Sequence, residues 1–275
     1  MGFPVAVLGA GSLGEILCRG LLRAGWEPQQ LVMAARRPER ARQAEEHTGV
    51  STLLDPAAAA AGREVVVVAV KPRDVATLVS QITGVITSGQ VVLSVAAGVP
   101  LSVYEDVFEA VAVVRAMPNT PAIVDEAISA YCCGRNVDDS AREKATAVLS
   151  AVGGLVELDE ELMDAVTAVS GTGPAYVFLL AEALVEAAVR EGLPHHAATR
   201  LVDQTLRGAG MLLVASERSP FELRAQVTSP GGTTAAAMHV LEEGGFRAVI
   251  EDAVRVAAQR SRELGARAAA TGREG

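Results

Sequence analysis

Hydrophobic positions along the chain follow two regimes that change near residue 158. In the first, short unbroken apolar runs alternate with longer segments of helical period. The runs are Val5-Ala6-Val7-Leu8, Leu31-Val32-Met33-Ala34, residues 65–70 and residues 91–95. Strands of a parallel sheet covered on both faces read this way, because neither face meets water. Residues 15–24 and 38–47 carry apolar positions at helical spacing, so strand and helix alternate and an open α/β sheet is predicted. Residues 75–104 contain no charge, but Gly84, Ser88, Gly89, Gln90, Gly98 and Pro100 punctuate them. They read as helix, turn, strand and loop rather than as a membrane span.

After Leu155-Val156-Glu157-Leu158 the runs stop, and the acidic Asp159-Glu160-Glu161 marks a join. Residues 162–190, 195–216, 230–243 and 246–264 have helical periodicity. The first of these is interrupted by Gly171-Thr172-Gly173-Pro174, where a proline deep in a helix removes a backbone bond and bends it. Two domains are therefore predicted, an α/β domain over 1–158 and an all-α domain over 159–275. The helical half is rich in Ala and Leu and nearly free of aromatics, which suits close helix packing.

A chain of 275 residues, 50% hydrophobic and 21% charged, builds a proper core without metal or disulfide staples. Its net charge of -9 argues against nucleic acid as the main partner. The cysteines are Cys18, Cys132 and Cys133, an odd count without CxxC spacing, which fits a reduced compartment. Cys132 and Cys133 are adjacent in a strand-like run and are expected to point to opposite faces as packing residues. His47, His195, His196 and His239 show no ligand spacing, and no metal site is expected. Met1-Gly2-Phe3-Pro4 leads straight into a strand without a charged n-region or apolar leader, so a cytoplasmic location is the default.

The candidate chemistry begins at the first strand's end. Gly9-Ala10-Gly11-Ser12-Leu13-Gly14 sits between a strand and an amphipathic helix, the context that gives a GxGxxG loop its meaning. Gly9 permits the tight turn, Gly11 lets the backbone approach a pyrophosphate at the helix N-terminus, and Gly14 allows helix and strand to pack closely. This defines a Rossmann-type, doubly wound sheet that binds a dinucleotide. The second strand ends in Ala35-Arg36-Arg37, where an NAD-preferring fold presents an acid to the ribose hydroxyls. Two guanidiniums suit a 2′-phosphate instead, so NADP(H) is expected over NAD(H), although Arg36 and Arg37 also read as the solvated start of a helix. Ala69-Val70-Lys71-Pro72 and Ala96-Ala97-Gly98 follow the next two runs, and loops at the carboxyl ends of such strands line the cofactor crevice. Lys71 reads equally well as a solvated loop lysine.

A second anion-ready helix start lies about two hundred residues further on, at Ser229-Pro230-Gly231-Gly232-Thr233-Thr234. Ser229 is placed to cap, Pro230 to occupy the first helical position, and the glycines to leave the next amides open to an anion. Taken alone, the segment also reads as a loop between two helices. The combination predicts a small anionic substrate held opposite a cofactor, with the Thr234 hydroxyl beside it.

The run from Val227 to Phe246, Val-Thr-Ser-Pro-Gly-Gly-Thr-Thr-Ala-Ala-Ala-Met-His-Val-Leu-Glu-Glu-Gly-Gly-Phe, resembles the C-terminal signature of the pyrroline-5-carboxylate reductases. Residues 69–72 and 96–98, Met117-Pro118-Asn119-Thr120-Pro121, Met163-Asp164-Ala165-Val166-Thr167 and the Gly171–Pro174 break match further family segments. The resemblance implies NAD(P)H-dependent reduction of 1-pyrroline-5-carboxylate to L-proline, the last step of proline biosynthesis. It implies a C-terminal dimerisation domain whose helices interlock between subunits, and thus a homodimer or a multiple of dimers with the substrate pocket at the junction. It places Asn119 in a nicotinamide-side loop and Glu160 and Thr172 near the nicotinamide end. Glu217 approaches the substrate ring as a catalytic partner of Thr234, and Ser229, Gly231, Gly232 and Thr233 hold the substrate's carboxylate. Without the family, Glu160 reads as part of a solvated acidic run and Glu217 as a helix end. The chain departs from the family pattern at Ala35-Arg36-Arg37 and at Asp55-Pro56, where many members have Asn. A related cyclic-imine reductase or β-hydroxyacid dehydrogenase shares the plan, but the latter wants a lysine on the long helix and residues 162–190 contain none. A non-catalytic NADP sensor would have lost the 229–234 segment.

Overall fold

The computed structural model describes residues 2–273, with side chains through residue 267. β1 (Val5–Leu8), α1 (Ser12–Arg23), β2 (Leu31–Ala34), α2 (Pro38–Thr48), β3 (Thr52–Leu53), α3 (Pro56–Ala60), β4 (Val65–Val68), α4 (Val75–Ile82), β5 (Val91–Ser94), α5 (Ser102–Glu105) and β6 (Ala112–Met117) build the doubly wound part. β7 (Ala127–Cys133), α6 (Asp139–Ser150) and β8 (Gly153–Glu157) extend it. The sheet order is β3-β2-β1-β4-β5-β6-β7-β8. The first six strands are parallel, β7 runs antiparallel to β6, and β8 follows β7 in parallel.

Alternation along each strand sends side chains into two separate cores. Val5 and Val7 join Leu17, Leu21, Val148 and Leu149 on the α1–α6 face. Ala6 and Leu8 join Val79, Ile82 and Tyr104 on the other. Each β4 valine is fully buried, which is why the run Val65-Val66-Val67-Val68 shows no polar position. Cys132 is buried in one core and Cys133 packs half-buried on the other, the opposite-face arrangement expected of neighbours in a strand.

α7 (Met163–Val166), α8 (Gly173–Arg190), α9 (His195–Ala215), α10 (Pro220–Gln226), α11 (Thr233–Glu243) and α12 (Phe246–Arg273) complete the chain. The break near residue 172 differs from the one expected. A π turn spans Thr167–Gly171, with the Thr172 amide donating to the Thr167 carbonyl at 2.9 Å. Pro174 is the second residue of α8, where its missing N–H belongs to the unpaired first turn, so it starts a helix instead of bending one. α10 was not expected, although Ser219-Pro220-Phe221-Glu222 is a complete capping box.

Two compact units divide the chain: one comprises Met1–Thr172 with Arg255–Gly275, the other Gly173–Val254. The division falls later than the join expected after residue 158, and the last part of α12 groups with the sheet. Ser261 explains this grouping in part, because its Oγ donates to Asp164 Oδ1 at 2.5 Å and its side chain is buried. In the second unit α8 packs along α9, and Ala198 and Val202 are its buried apolar residues among those described. Phe178, Leu179, Met211 and Val214 stand exposed, Val214 at 91%. Among the described residues, one helical stretch, Glu160–Arg190, is long and apolar enough to cross a membrane.

Candidate active site

The glycine loop is fixed from both sides. Gly9 and Ala10 amides each donate to the Ala34 carbonyl at 3.0 Å, tying the loop to the end of β2. Gly9 has φ +125, and a Cβ on it would strike the Ala69 backbone at 2.7 Å. A Cβ on Gly14 would collide with the Gly9 carbonyl, so helix α1 lies against the turn as closely as backbone allows. Gly11 caps α1 without a side-chain bond, and the space beside it is open. A pyrophosphate fits this arrangement: open amides at the start of a twelve-residue helix and room where a side chain would stand. Ser12 is exposed and Leu13 half-buried at the same helix start.

Arg40 is a residue that the sequence reading missed. Its Nε donates to the Ala10 carbonyl at 2.5 Å and its Nη2 bonds Glu15, which also meets His47 Nδ1 at 3.1 Å. The loop is therefore braced by α2 as well as by the sheet. Nothing in the spacing of Pro38-Glu39-Arg40 announces this, since the contact depends on how α2 packs against α1.

Arg36 and Arg37 stand where expected, directly after β2. Arg37 caps α2 through its backbone, while Arg36 Nη1 donates to Asp74 Oδ1 at 2.9 Å. Asp74 ends the turn Pro72–Asp74, which Lys71 caps after β4. Lys71 itself is exposed, and the Ala69 amide extends the β4 pairing by donating to the Leu8 carbonyl at 2.9 Å. Val70 is half-buried against the second core.

Beyond β5 a buried polar network holds the loop that carries Ala96, Ala97 and Gly98. Ser94 Oγ lies 2.6 Å from Tyr104 Oη and accepts from the Ala96 amide at 3.3 Å. Burial pushes the Tyr104 phenol above its ordinary range. Gly98 has φ +75, and its carbonyl faces Gly265 so closely that a Cβ on Gly265 would collide with it. Glu160 closes the loop: its Oε1 accepts from the Leu101 amide at 2.7 Å and from Arg115 Nη1 at 2.9 Å. Glu160 is thus a bonded anchor rather than a member of a solvated run. An open cavity of about 760 Å³ beside it is lined by Leu101, Glu105, Cys132, Arg135 and Asp159, and no glycine-loop residue reaches it. Asn119, past the end of β6, accepts from the Ile128 amide at 3.1 Å through Oδ1. Thr172 Oγ1 donates to the Ala168 carbonyl at 2.6 Å.

In the second unit the anion-ready turn is built differently from the expectation. α11 begins at Thr233 with Gly232 as its cap, so Ser229 does not cap it and Pro230 precedes it. The Gly232 amide is spent on the Ser229 carbonyl at 3.1 Å, and Gly231 takes φ +67, which brings the chain round in a tight turn. The amides of Thr233, Thr234 and Ala235 are then the open ones at the helix start. Thr234 is half-buried, and its hydroxyl has no protein partner among the described residues. Glu217 is exposed in the short loop before α10, where the Arg218 amide donates to Ser216 Oγ at 3.1 Å.

Burial disfavours the reactive thiolate at each cysteine, least at the half-buried Cys133. Burial pushes Cys18 and Cys132 up to about 12, and it raises Cys133 as well. Among the described residues no group of three or more His, Cys, Asp or Glu could hold a metal ion.

A doubly wound sheet with a braced glycine loop defines a protein of the dinucleotide-binding class. Residues 4–98 match the model described as NADP oxidoreductase, coenzyme F420-dependent, and residues 160–264 match pyrroline-5-carboxylate reductase dimerisation. The pyrroline-5-carboxylate reductase of Corynebacterium melassecola is 40% identical over 265 residues, covering 95% of this chain and 98% of that protein. The solved pyrroline-5-carboxylate reductase of Coxiella burnetii superposes with a TM-score of 0.89 at 34% identity, over 95% of this chain and 98% of that one. The Plasmodium falciparum pyrroline carboxylate reductase, solved with NADP bound, gives 0.87 at 28% identity over 96% and 98%. The chain belongs to the pyrroline-5-carboxylate reductase family.

Proposed function

We propose that the chain reduces 1-pyrroline-5-carboxylate to L-proline with NADPH in preference to NADH, in the cytoplasm, as a homodimer or a multiple of dimers. The observation that carries the cofactor reading is the end of β2. No acid follows Ala35, and Arg36 and Arg37 offer guanidiniums where a 2′-phosphate lies in folds of this kind. The relative solved with NADP supports the same choice.

When bound, the cofactor would supply a hydride to the imine carbon, and the proton on the ring nitrogen would come from solvent, so that the imine takes up one hydride and one proton to become the amine. The chain's own contribution is orientation and charge. Glycine-loop amides at Ser12 and Leu13 hold the pyrophosphate, and Ala96, Ala97, Gly98, Lys71 and Asn119 border the rest of the crevice. Open amides at Thr233 and Thr234 face the substrate's carboxylate, aided by the turn of Ser229, Gly231 and Gly232. The Thr234 hydroxyl, with no competing partner among the described residues, bonds the ring nitrogen, while Glu217 supports the ring and Glu160 and Thr172 serve the nicotinamide side.

Unit Gly173–Val254 cannot bury its own apolar surface, so a second copy of the chain covers it in this reading. The match to a dimerisation family over residues 160–264 supports that partner.

Steady-state kinetics of Thr234→Val test the substrate site. The substitution keeps the shape and removes one hydrogen bond, so kcat falls about ten- to a thousand-fold while NADPH affinity is unchanged. A wild-type kcat, or a loss explained by weaker NADPH binding, removes Thr234 from the mechanism.

A further inference from the structure

β2 and β4 flank β1, so the loops at their carboxyl ends stand on either side of the glycine loop. Arg36 and Asp74 meet across that gap through one bond of 2.9 Å. Asp74 is the fixed member: its side chain is only 20% exposed, and its amide donates to the Lys71 carbonyl at 2.8 Å. The Arg36 side chain is 77% exposed and holds Asp74 by Nη1 alone. No acid stands at the end of β2, yet an acid from β4 reaches the same guanidinium from the other side.

We propose that Asp74 is a specificity-determining residue that competes with the cofactor's 2′-phosphate for Arg36, and so limits the margin by which NADPH is favoured over NADH. The inference rests on the reading of Arg36 as a 2′-phosphate ligand. An exposed ion pair with a single contact is weak and exchanges readily. A phosphate with nearly two negative charges binds a guanidinium through two parallel bonds and displaces a monodentate carboxylate. Displacement leaves the Asp74 carboxylate uncompensated beside a dianion. In a wet, salt-screened site, that repulsion weakens phosphate binding by roughly three- to tenfold. The opposing effect, orientation of Arg36 by Asp74, is smaller because so exposed a side chain is little ordered by one contact. NADH has no phosphate at this position and does not feel the carboxylate in the same way.

Fluorescence titration of NADPH and NADH against the full-length wild type, Asp74→Asn, Arg36→Ala and the double variant tests the proposal. Asp74→Asn is expected to bind NADPH roughly three- to tenfold tighter, with NADH within about twofold. In the Arg36→Ala background the gain should fall to about twofold or less, since the competition has lost its object. Unchanged or weaker NADPH binding by Asp74→Asn, or a gain fully retained without Arg36, overturns the proposal. If Arg36→Ala weakens NADPH while Asp74→Asn fails to strengthen it, the role of Asp74 alone fails. Equal wild-type affinities for both cofactors, unmoved by Arg36→Ala, remove the underlying reading as well.

Discussion

Arg115 Nη1 donates to Glu160 Oε1 at 2.9 Å, joining β6, the last of the six like-directed strands, to the turn with which the helical segment begins. The Arg115 side chain is 7% exposed and that of Glu160 33%. The same oxygen takes the Leu101 amide, so one carboxylate holds a strand, a loop and a turn together.

Removing that carboxylate leaves a buried guanidinium without its acid. Breaking a fully buried pair costs roughly 3–5 kcal/mol, and the partial exposure of Glu160 reduces this to about 2 kcal/mol for Glu160→Ala. Urea denaturation measures it. The double variant with Arg115→Ala should lose less than the sum of the single losses. A loss below about 0.5 kcal/mol would mean that Glu160 behaves as an ordinary surface acid.

Gly265→Ala examines the docking of α12 on the loop after β5. The added Cβ collides with the Gly98 carbonyl, and backbone has little room to yield. Stability should fall by about 1–3 kcal/mol, and, if the same loop borders the cofactor as proposed, the KM for NADPH should rise. Ser261→Ala, which loses only the bond to Asp164, should cost about 1 kcal/mol and leave that KM unchanged. Wild-type melting and KM in Gly265→Ala would show the close approach to be of no consequence.

The raised thiols give a pH-dependent expectation. Only a thiolate reacts with a disulfide reagent, and Cys18 and Cys132 form theirs at about 12 instead of near 9. At neutral pH the native protein should react far more slowly than the unfolded chain, which exposes all three thiols, Cys18, Cys132 and Cys133. The native rate should climb only as pH approaches the raised values. Rapid reaction of all three at neutral pH would contradict their burial.

The doubly wound sheet was legible because strands such as Val65-Val66-Val67-Val68 are buried on both faces and carry a continuous apolar signal. The reversed β7 and β8 were less so: Ile128 and Val156 are exposed, Gly153 and Gly154 interrupt the pattern, and only the short turn Thr120–Val124, not an α-helix, joins β6 to β7 where the direction reverses. The glycine loop announced itself by context, and Arg36 by its place after β2. The partners of these residues did not, since Asp74 lies 38 positions from Arg36 and Glu160 lies 45 from Arg115. Local preference also misled: Pro230 looked like a first helical residue, but positive φ at Gly231 moves the start of α11 to Thr233. The π turn at Thr167–Gly171 has no sequence signature beyond the small residues that permit it.

The substrate claim is tested most directly by following NADPH oxidation with 1-pyrroline-5-carboxylate and with its six-membered homologue, while L-proline is measured in the same reaction. The account predicts one proline formed for each NADPH consumed, and a kcat/KM for the five-membered ring above that for the homologue. NADPH consumption with the homologue alone, or with neither compound, would contradict it.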